Sequence, residues 1–444
     1  MGVNQESRSQ QGQTVNGSAH CASATTPAIR FQSNTDGIRQ SSDDTYILRI
    51  DHDGAPQAGD QPLLGKNQKL TYPTNSVQIK IRAKEQKLIR FKRQEVSRRL
   101  LPGRPVARCR RRVGFNPETR RQYDSVAVMQ SARDGELYTG RLWACKSAWE
   151  CPVCQAYKAA VFLEKLLPLL ESAHRRFEYG METLTASSRS WMPIDEFVIR
   201  FKRAVEAFYS GKWRTNYDRR WHLRGRVTGH DITIGDNGPH YHDHMLIVAD
   251  KGGFDVAMAD GSLMWIAQNM NERVVATMWQ EAGQRWVKCC AEAGLYADLD
   301  HGYHIQGANK NAAHYIAKLA FEVGLYTGKR GRGGRTMGEL LDAAGRDAGL
   351  DDELAGRQWV EITKALKGSA YLRASKGLWE LLGGAEPTKQ ESDSGEESTC
   401  DRLLAELVKW QWYQIQKDDK RQEWLDAQSQ GIDRLAAWCK DNGF

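Results

Sequence analysis

From about residue 76 onward, stretches with an apolar residue every three to four positions trade places with shorter stretches in which apolar and polar residues alternate. The pattern predicts helices and strands in turn. Residues 1–75 show neither period and are rich in Gln, Ser, Gly, Asn and Thr. Such an arm has too little apolar surface to offset its ordering entropy and is expected to be disordered. A basic stretch that reads as helix follows, leading into a cysteine region at about 105–160. Between 175 and 325, β-like runs at 180–185 and a hairpin at 226–249 are interleaved with helical patterns at 193–210, 262–293 and from about 311. This mixture predicts an α+β fold, an antiparallel sheet flanked by helices. A Gly/Arg-rich loop at 328–336, helical patterns at 337–346 and 351–367, and an acidic stretch at 384–399 come next. A helical C-terminal region bearing Trp410, Trp412, Trp424 and Trp438 ends the chain.

The expected organisation is therefore an arm (1–75), a basic and Cys-rich element (76–165), a central α+β domain (166–327), a basic loop with a helical extension (328–383), an acidic linker (384–399) and a helical tail (400–444). The tryptophans of the tail read as core packing.

Charge sharpens this picture. The 444 residues carry a formal net charge of +8, but residues 78–121 alone hold 16 Lys or Arg against Glu85, Glu95 and Glu118. The rest of the chain is thus net acidic, and the basic segment is concentrated enough to displace counterions from a phosphate backbone. Arg108, Arg110, Arg111 and Arg112, with Arg330 and Arg332 of the later loop, are the expected DNA contacts. No run of 18 apolar residues and no secretory signal is found, so a cytoplasmic protein without a membrane partner is expected. The absence of a GxxxxGK[ST] sequence argues against a built-in helicase motor.

The densest chemistry lies in DITIGDNGPHYHDHMLIVAD. His240, His242 and His244 alternate with Tyr241 and Asp243, so on a strand all three imidazoles project to one side. The preceding Gly-Asp-Asn-Gly is a hairpin turn signal. Closing the hairpin there sets Thr233 opposite His240 and Asp231 opposite His242, adding a carboxylate to the histidine face. Imidazoles beside a carboxylate suit a divalent metal with open positions for substrate oxygens. Downstream, Tyr315 and Lys318 lie one helical turn apart. A tyrosine hydroxyl is a weak nucleophile, and a nearby cation supplies what it lacks.

Cys109, Cys145, Cys151 and Cys154 offer four thiolates, the number a closed structural zinc site needs, with Cys-Pro-x-Cys forming one chelating turn.

Taken in order, these features resemble plasmid rolling-circle replication initiators of the HUH endonuclease superfamily. Met181 to Thr185 is similar to the first motif of that family, Asp231 to Ile247 to its histidine strand, and Tyr315 with Lys318 to its tyrosine helix. The resemblance covers about 105–380. It implies a small antiparallel sheet with the histidines on a central strand and the tyrosine on a flanking helix. It also implies that Mg²⁺ or Mn²⁺ is held by histidines of the set and that Tyr315 is the nucleophile, assisted by Lys318. Nicking of a plasmid double-strand origin would leave a 5′-phosphotyrosine and a 3′-hydroxyl primer. A host helicase, single-strand binding protein and DNA polymerase are the implied partners. Two departures stand out. His242 and His244 bracket Asp243 rather than an apolar residue, and Asn311 stands where some relatives carry a glutamate four residues before the tyrosine; Glu322, on the same helical face, reads as a solvated carboxylate ahead of a substitute for it. A transposase or relaxase with the same site, and a non-catalytic zinc-dependent DNA-binding protein, are the alternative expectations.

Overall fold

A computed structural model describes residues 76–132, 134–188, 192–236, 238–252, 276–307, 334–346, 350–388 and 400–444. The arm at 1–75, Asn311, Tyr315, Lys318, Glu322, Arg330 and Arg332, and most of the acidic linker lie outside the described residues.

In chain order the elements are α1 (Ser76–Leu100), β1 (Ser125–Gln130), β2 (Leu137–Gly140), α2 (Pro152–Ala173), β3 (Phe177–Ser187), α3 (Ile194–Phe208), α4 (Gly211–Arg220), β4 (Leu223–Gly235), β5 (Gly238–Asp250), α5 (Ala276–Glu292), β6 (Tyr303–Gly307), β7 (Gly334–Thr336), α6 (Met337–Ala344), α7 (Leu350–Ala365), β8 (Leu372–Ala374), α8 (Leu378–Leu382), β9 (Arg402–Val408), α9 (Lys409–Lys417), α10 (Arg421–Ser429) and α11 (Ile432–Asp441). The architecture is α+β with antiparallel sheets, as the periodicity predicts.

The larger sheet runs β6-β3-β5-β4-β7, with β8 also paired to β4. Its central hairpin has the expected register, with Thr233 opposite His240 and Asp231 opposite His242. Helix α3 shows why one face closes: Ile194, Phe197, Val198, Phe201, Ala204 and Phe208, spaced by three or four, are all buried. Phe201 stacks on Tyr241 of β5 at 4.3 Å between ring centroids and meets Trp286 of α5 edge-on at 5.6 Å. The Trp286 indole donates to the Thr185 carbonyl at 2.8 Å, fastening α5 to β3. At about 1.5–3 kcal/mol per fully buried large apolar side chain, this helical layer is a principal source of stability.

The opposite face is divided. Toward one end, Phe177, Tyr179, Met181, Val227, Leu246 and Val248 are covered by α2 and by Leu378, Trp379 and Leu382 of α8. Toward the other end lie the histidines.

Two expectations need correction. Periodicity predicts a helical tail from about residue 400, yet Arg402–Val408 is a strand pairing with β1 in a second sheet of order β2-β1-β9. Its apolar-rich RLLAELV is compatible with a helix, and pairing with a distant strand overrides that preference. The stretch 328–383 reads as loop and helix, but β7 and β8 extend the main sheet through β4.

The tail is folded onto the Cys-rich element. Trp412, Trp424 and Trp438 are buried and pack edge-on in succession, with centroids 6.0 and 5.8 Å apart. The Trp412 and Trp424 indoles donate to the Arg111 carbonyl and to Thr139 Oγ1. Among the described residues, no helix is long and apolar enough to cross a membrane.

Candidate active face and metal centre

The alternation of β5 produces the histidine face directly. Tyr241, Asp243 and Met245 are buried against the helical layer, whereas His240, His242 and His244 are half-buried on the other side. Across β3 the register sets Thr183 beside His244, Thr185 beside His242 and Ser187 beside His240. Each of two threonines engages its histidine: Thr185 Oγ1 lies 2.9 Å from His242 Nδ1 and Thr183 Oγ1 lies 3.2 Å from His244 Nδ1. Such a partner on one ring nitrogen fixes the orientation of each ring. The His242 and His244 rings lie nearly parallel, 14° apart with centroids separated by 6.0 Å. Burial pushes the His240 imidazole below its ordinary range, favouring the neutral form that ligates metal. Asp231 joins the face from β4 through its pairing with His242.

Asp243, which His242 and His244 bracket, points away from this face. It is buried, and its carboxylate lies 2.5 Å from Nδ1 of His230 on β4. It therefore anchors the hairpin from beneath.

One member of the face escaped the sequence reading. His304 of β6 pairs with Thr183, which pairs on its other side with His244, so His304 occupies the same cross-strand row. Tyr303 and Ile305 are buried on the helical side, and burial pushes His304 below its ordinary range. The signal available in the sequence was a single apolar-His-apolar triplet, too short to fix a strand.

Beneath β3 lies a buried polar knot. Glu182 is 1% exposed and accepts hydrogen bonds from the Tyr209 and Tyr303 hydroxyls at 2.7 and 2.8 Å. The Arg226 guanidinium stands 3.5 Å over the Tyr209 ring. A buried carboxylate satisfied in this way fixes β3 against α3 and β6.

The four cysteines predicted from spacing do converge. Their Sγ atoms all lie within 4.8 Å of one another, and the group could hold a metal such as zinc. Pro152 opens α2, and Cys151 caps the helix by accepting from the Cys154 amide at 3.5 Å. The Cys145 amide donates to Cys109 Sγ at 3.3 Å, and Gln94 Nε2 donates to Cys151 Sγ at 3.2 Å. Donors converging on sulfur favour thiolate. Hydrogen bonds from Cys109, Cys145 and Cys151 hold the Cys154 thiol well below its ordinary range, while burial pushes Cys151 up. The donor set, its closure and its burial fit a tetrahedral ion of the structural class.

The arginines expected to contact DNA divide into two groups. Arg108 and Arg112 are exposed. Arg110 is buried beside the cysteines, and Arg111 forms an ion pair with Glu95 at 2.7 Å. Glu95 also receives Arg421 at 2.5 Å and Arg98 at 2.8 Å, while Arg93 pairs with Asp342 and Arg104 with Glu150. Four arginines of the basic segment, Arg93, Arg98, Arg104 and Arg111, are thus paired with carboxylates within the fold.

Comparison with protein-family models, with curated proteins and with solved structures gives no match for this chain.

Proposed function

We propose that this protein is a DNA-nicking initiator of rolling-circle replication, acting on a plasmid double-strand origin through Tyr315. The observation that carries this reading is the polar half of the main sheet. Three imidazoles and Asp231 share one face in register, the His242 and His244 rings engaged by Thr185 and Thr183, and among the described residues apolar cover lies over the other half. Chain direction adds support. β6 borders β3 on the main sheet, and Tyr315 follows its last residue by eight positions. That span reaches up to about 26 Å.

His242 and His244, with His240 and Asp231 as further donors, would hold Mg²⁺ or Mn²⁺. Bound there, the ion would supply positive charge to the scissile phosphate. The residues of the chain perform the transfer. The Tyr315 oxygen bonds to phosphorus as the bond from phosphorus to the 3′-oxygen breaks. The phenol proton ends on that oxygen, giving a 5′-phosphotyrosine and a 3′-hydroxyl primer. The Lys318 ammonium stabilises charge on the phosphoryl oxygens. Phosphodiester energy is retained in the ester, so rejoining needs no nucleotide cofactor. The nick site is presented as an extruded single strand, because a stacked duplex shields the phosphate from in-line attack. A host helicase, single-strand binding protein and polymerase would extend the primer.

The four cysteines are assigned one structural zinc that fixes the Cys-rich element to α1 and α2.

Cleavage of an origin-bearing oligonucleotide tests the reading. His242→Ala and excess chelator should each abolish nicking, with thermal unfolding unchanged by the substitution. Full cleavage by His242→Ala, His244→Ala and His240→Ala alike would remove the histidine face from the reaction.

A further inference from the structure

Outside the histidine face, two of the most exposed aromatic rings among the described residues stand on the Cys-rich element and its C-terminal partner. Phe115 is 61% exposed and Trp410 is 63% exposed. Single exposed apolar residues are ordinary, but these two are joined. Phe115 forms an antiparallel bridge with Gln122, so their side chains share a face. The Lys409 ammonium donates to the Gln122 side-chain carbonyl, and Trp410 is the next residue. Tyr413, 37% exposed, follows one turn later on α9, while Trp412 and Ile415 point inward. The turn linking the Phe115 and Gln122 strands is closed by Asn116, whose amide donates to the Arg121 carbonyl at 2.8 Å. Arg120 and Arg121 on that turn are exposed.

We infer that this surface binds single-stranded DNA, its bases stacking on Phe115, Trp410 and Tyr413 and its phosphates meeting Arg120, Arg121 and Lys409. Rings that stand out among cations suit a strand with unstacked bases, since every base offers a face to an aromatic ring. A duplex keeps those faces covered and offers such rings only its backbone. The inference deepens the proposed function by giving the extruded strand a second holding point, supplied jointly by the Cys-rich element and the tail. It also accounts for the tail folding back onto this element. With Arg110 and Arg111 engaged inside the fold, the exposed turn arginines carry the charge.

The test compares wild-type protein with a Phe115→Ala/Trp410→Ala variant by fluorescence anisotropy. The probes are labelled oligothymidylate and a mixed-sequence duplex, and Mg²⁺ and Mn²⁺ are omitted so that no cleavage enters. Stacking is worth about 5- to 150-fold in affinity per base, so the variant should bind the oligothymidylate at least about tenfold more weakly and the duplex unchanged. Arg120→Ala/Arg121→Ala should flatten the salt dependence of single-strand binding by about 0.7 in the log–log slope for each phosphate that is no longer neutralised. All four side chains are exposed, and unchanged thermal unfolding checks that the fold survives. Equal loss on both probes, no loss on either, or a change only in molecular mass by light scattering would overturn the inference. A selective single-strand loss in a protein that never nicks DNA would leave it standing while the proposed function falls.

Discussion

Replacing Glu95 by glutamine should expose how far the basic segment is a structural device. Glu95 lies in α1 and receives Arg421 from the tail, Arg111 from the Cys-rich element and Arg98 from its own helix. Burial acts to raise its carboxyl, but the charges of Arg421 and Arg111 overcome that, holding it at about 2 against an ordinary 4.5. A difference of this size, at about 1.4 kcal/mol per pKa unit, is worth about 3 kcal/mol at neutral pH. That exceeds the roughly 0–1 kcal/mol of a surface ion pair, as expected where the Arg421 side chain is only 4% exposed. The sign follows from the depressed value. The contribution is full above about pH 4.5 and is lost as pH falls through about 2, leaving about 1.4 kcal/mol at pH 3. Urea unfolding of wild type and Glu95→Gln should therefore differ by about 3 kcal/mol at pH 7, with the gap shrinking by more than half at pH 3. A gap below 1 kcal/mol at pH 7, or one that does not change between pH 7 and pH 3, would refute the argument.

Two other outcomes follow from the same module. Purified reduced protein should carry about one zinc per chain, and Cys151→Ser should release it. Binding of zinc to stripped protein should liberate protons from Cys145 and Cys151, which burial and neighbouring thiols hold protonated; metal analysis of a folded, reduced sample without zinc would rule this out. Trp424→Ala removes a side chain that is fully buried between Trp412 and Trp438 and should cost about 3–5 kcal/mol in chemical unfolding. A loss below 1 kcal/mol would mean the tail does not share the core of the Cys-rich element.

What the sequence disclosed, and what it hid, follows the range of the forces involved. The hairpin register around His240, His242 and His244 was legible because a Gly-rich turn and strict alternation fix it locally. The cysteine set was legible because thiolates at chelating spacing have few other uses. Strands β7 and β8, three residues each, are too short to carry a period and exist only through pairing with β4. His304 was hidden for the same reason. The ion pairs of the charge run were not legible because the carboxylates Glu150 and Asp342 lie about 50 and 250 positions from the arginines they meet. The role of buried Glu182 was not legible, because its partners are remote in the chain. Its two tyrosine donors come from α3's end and from β6.

The central claim rests on Tyr315, and a direct measurement is mass spectrometry of the protein recovered from an origin-bearing oligonucleotide with Mn²⁺. The account predicts an adduct that survives denaturing electrophoresis and maps to the peptide containing Tyr315. Tyr315→Phe should lose the adduct while retaining DNA binding. An adduct mapping to another residue, or one formed by Tyr315→Phe at the wild-type rate, would contradict it.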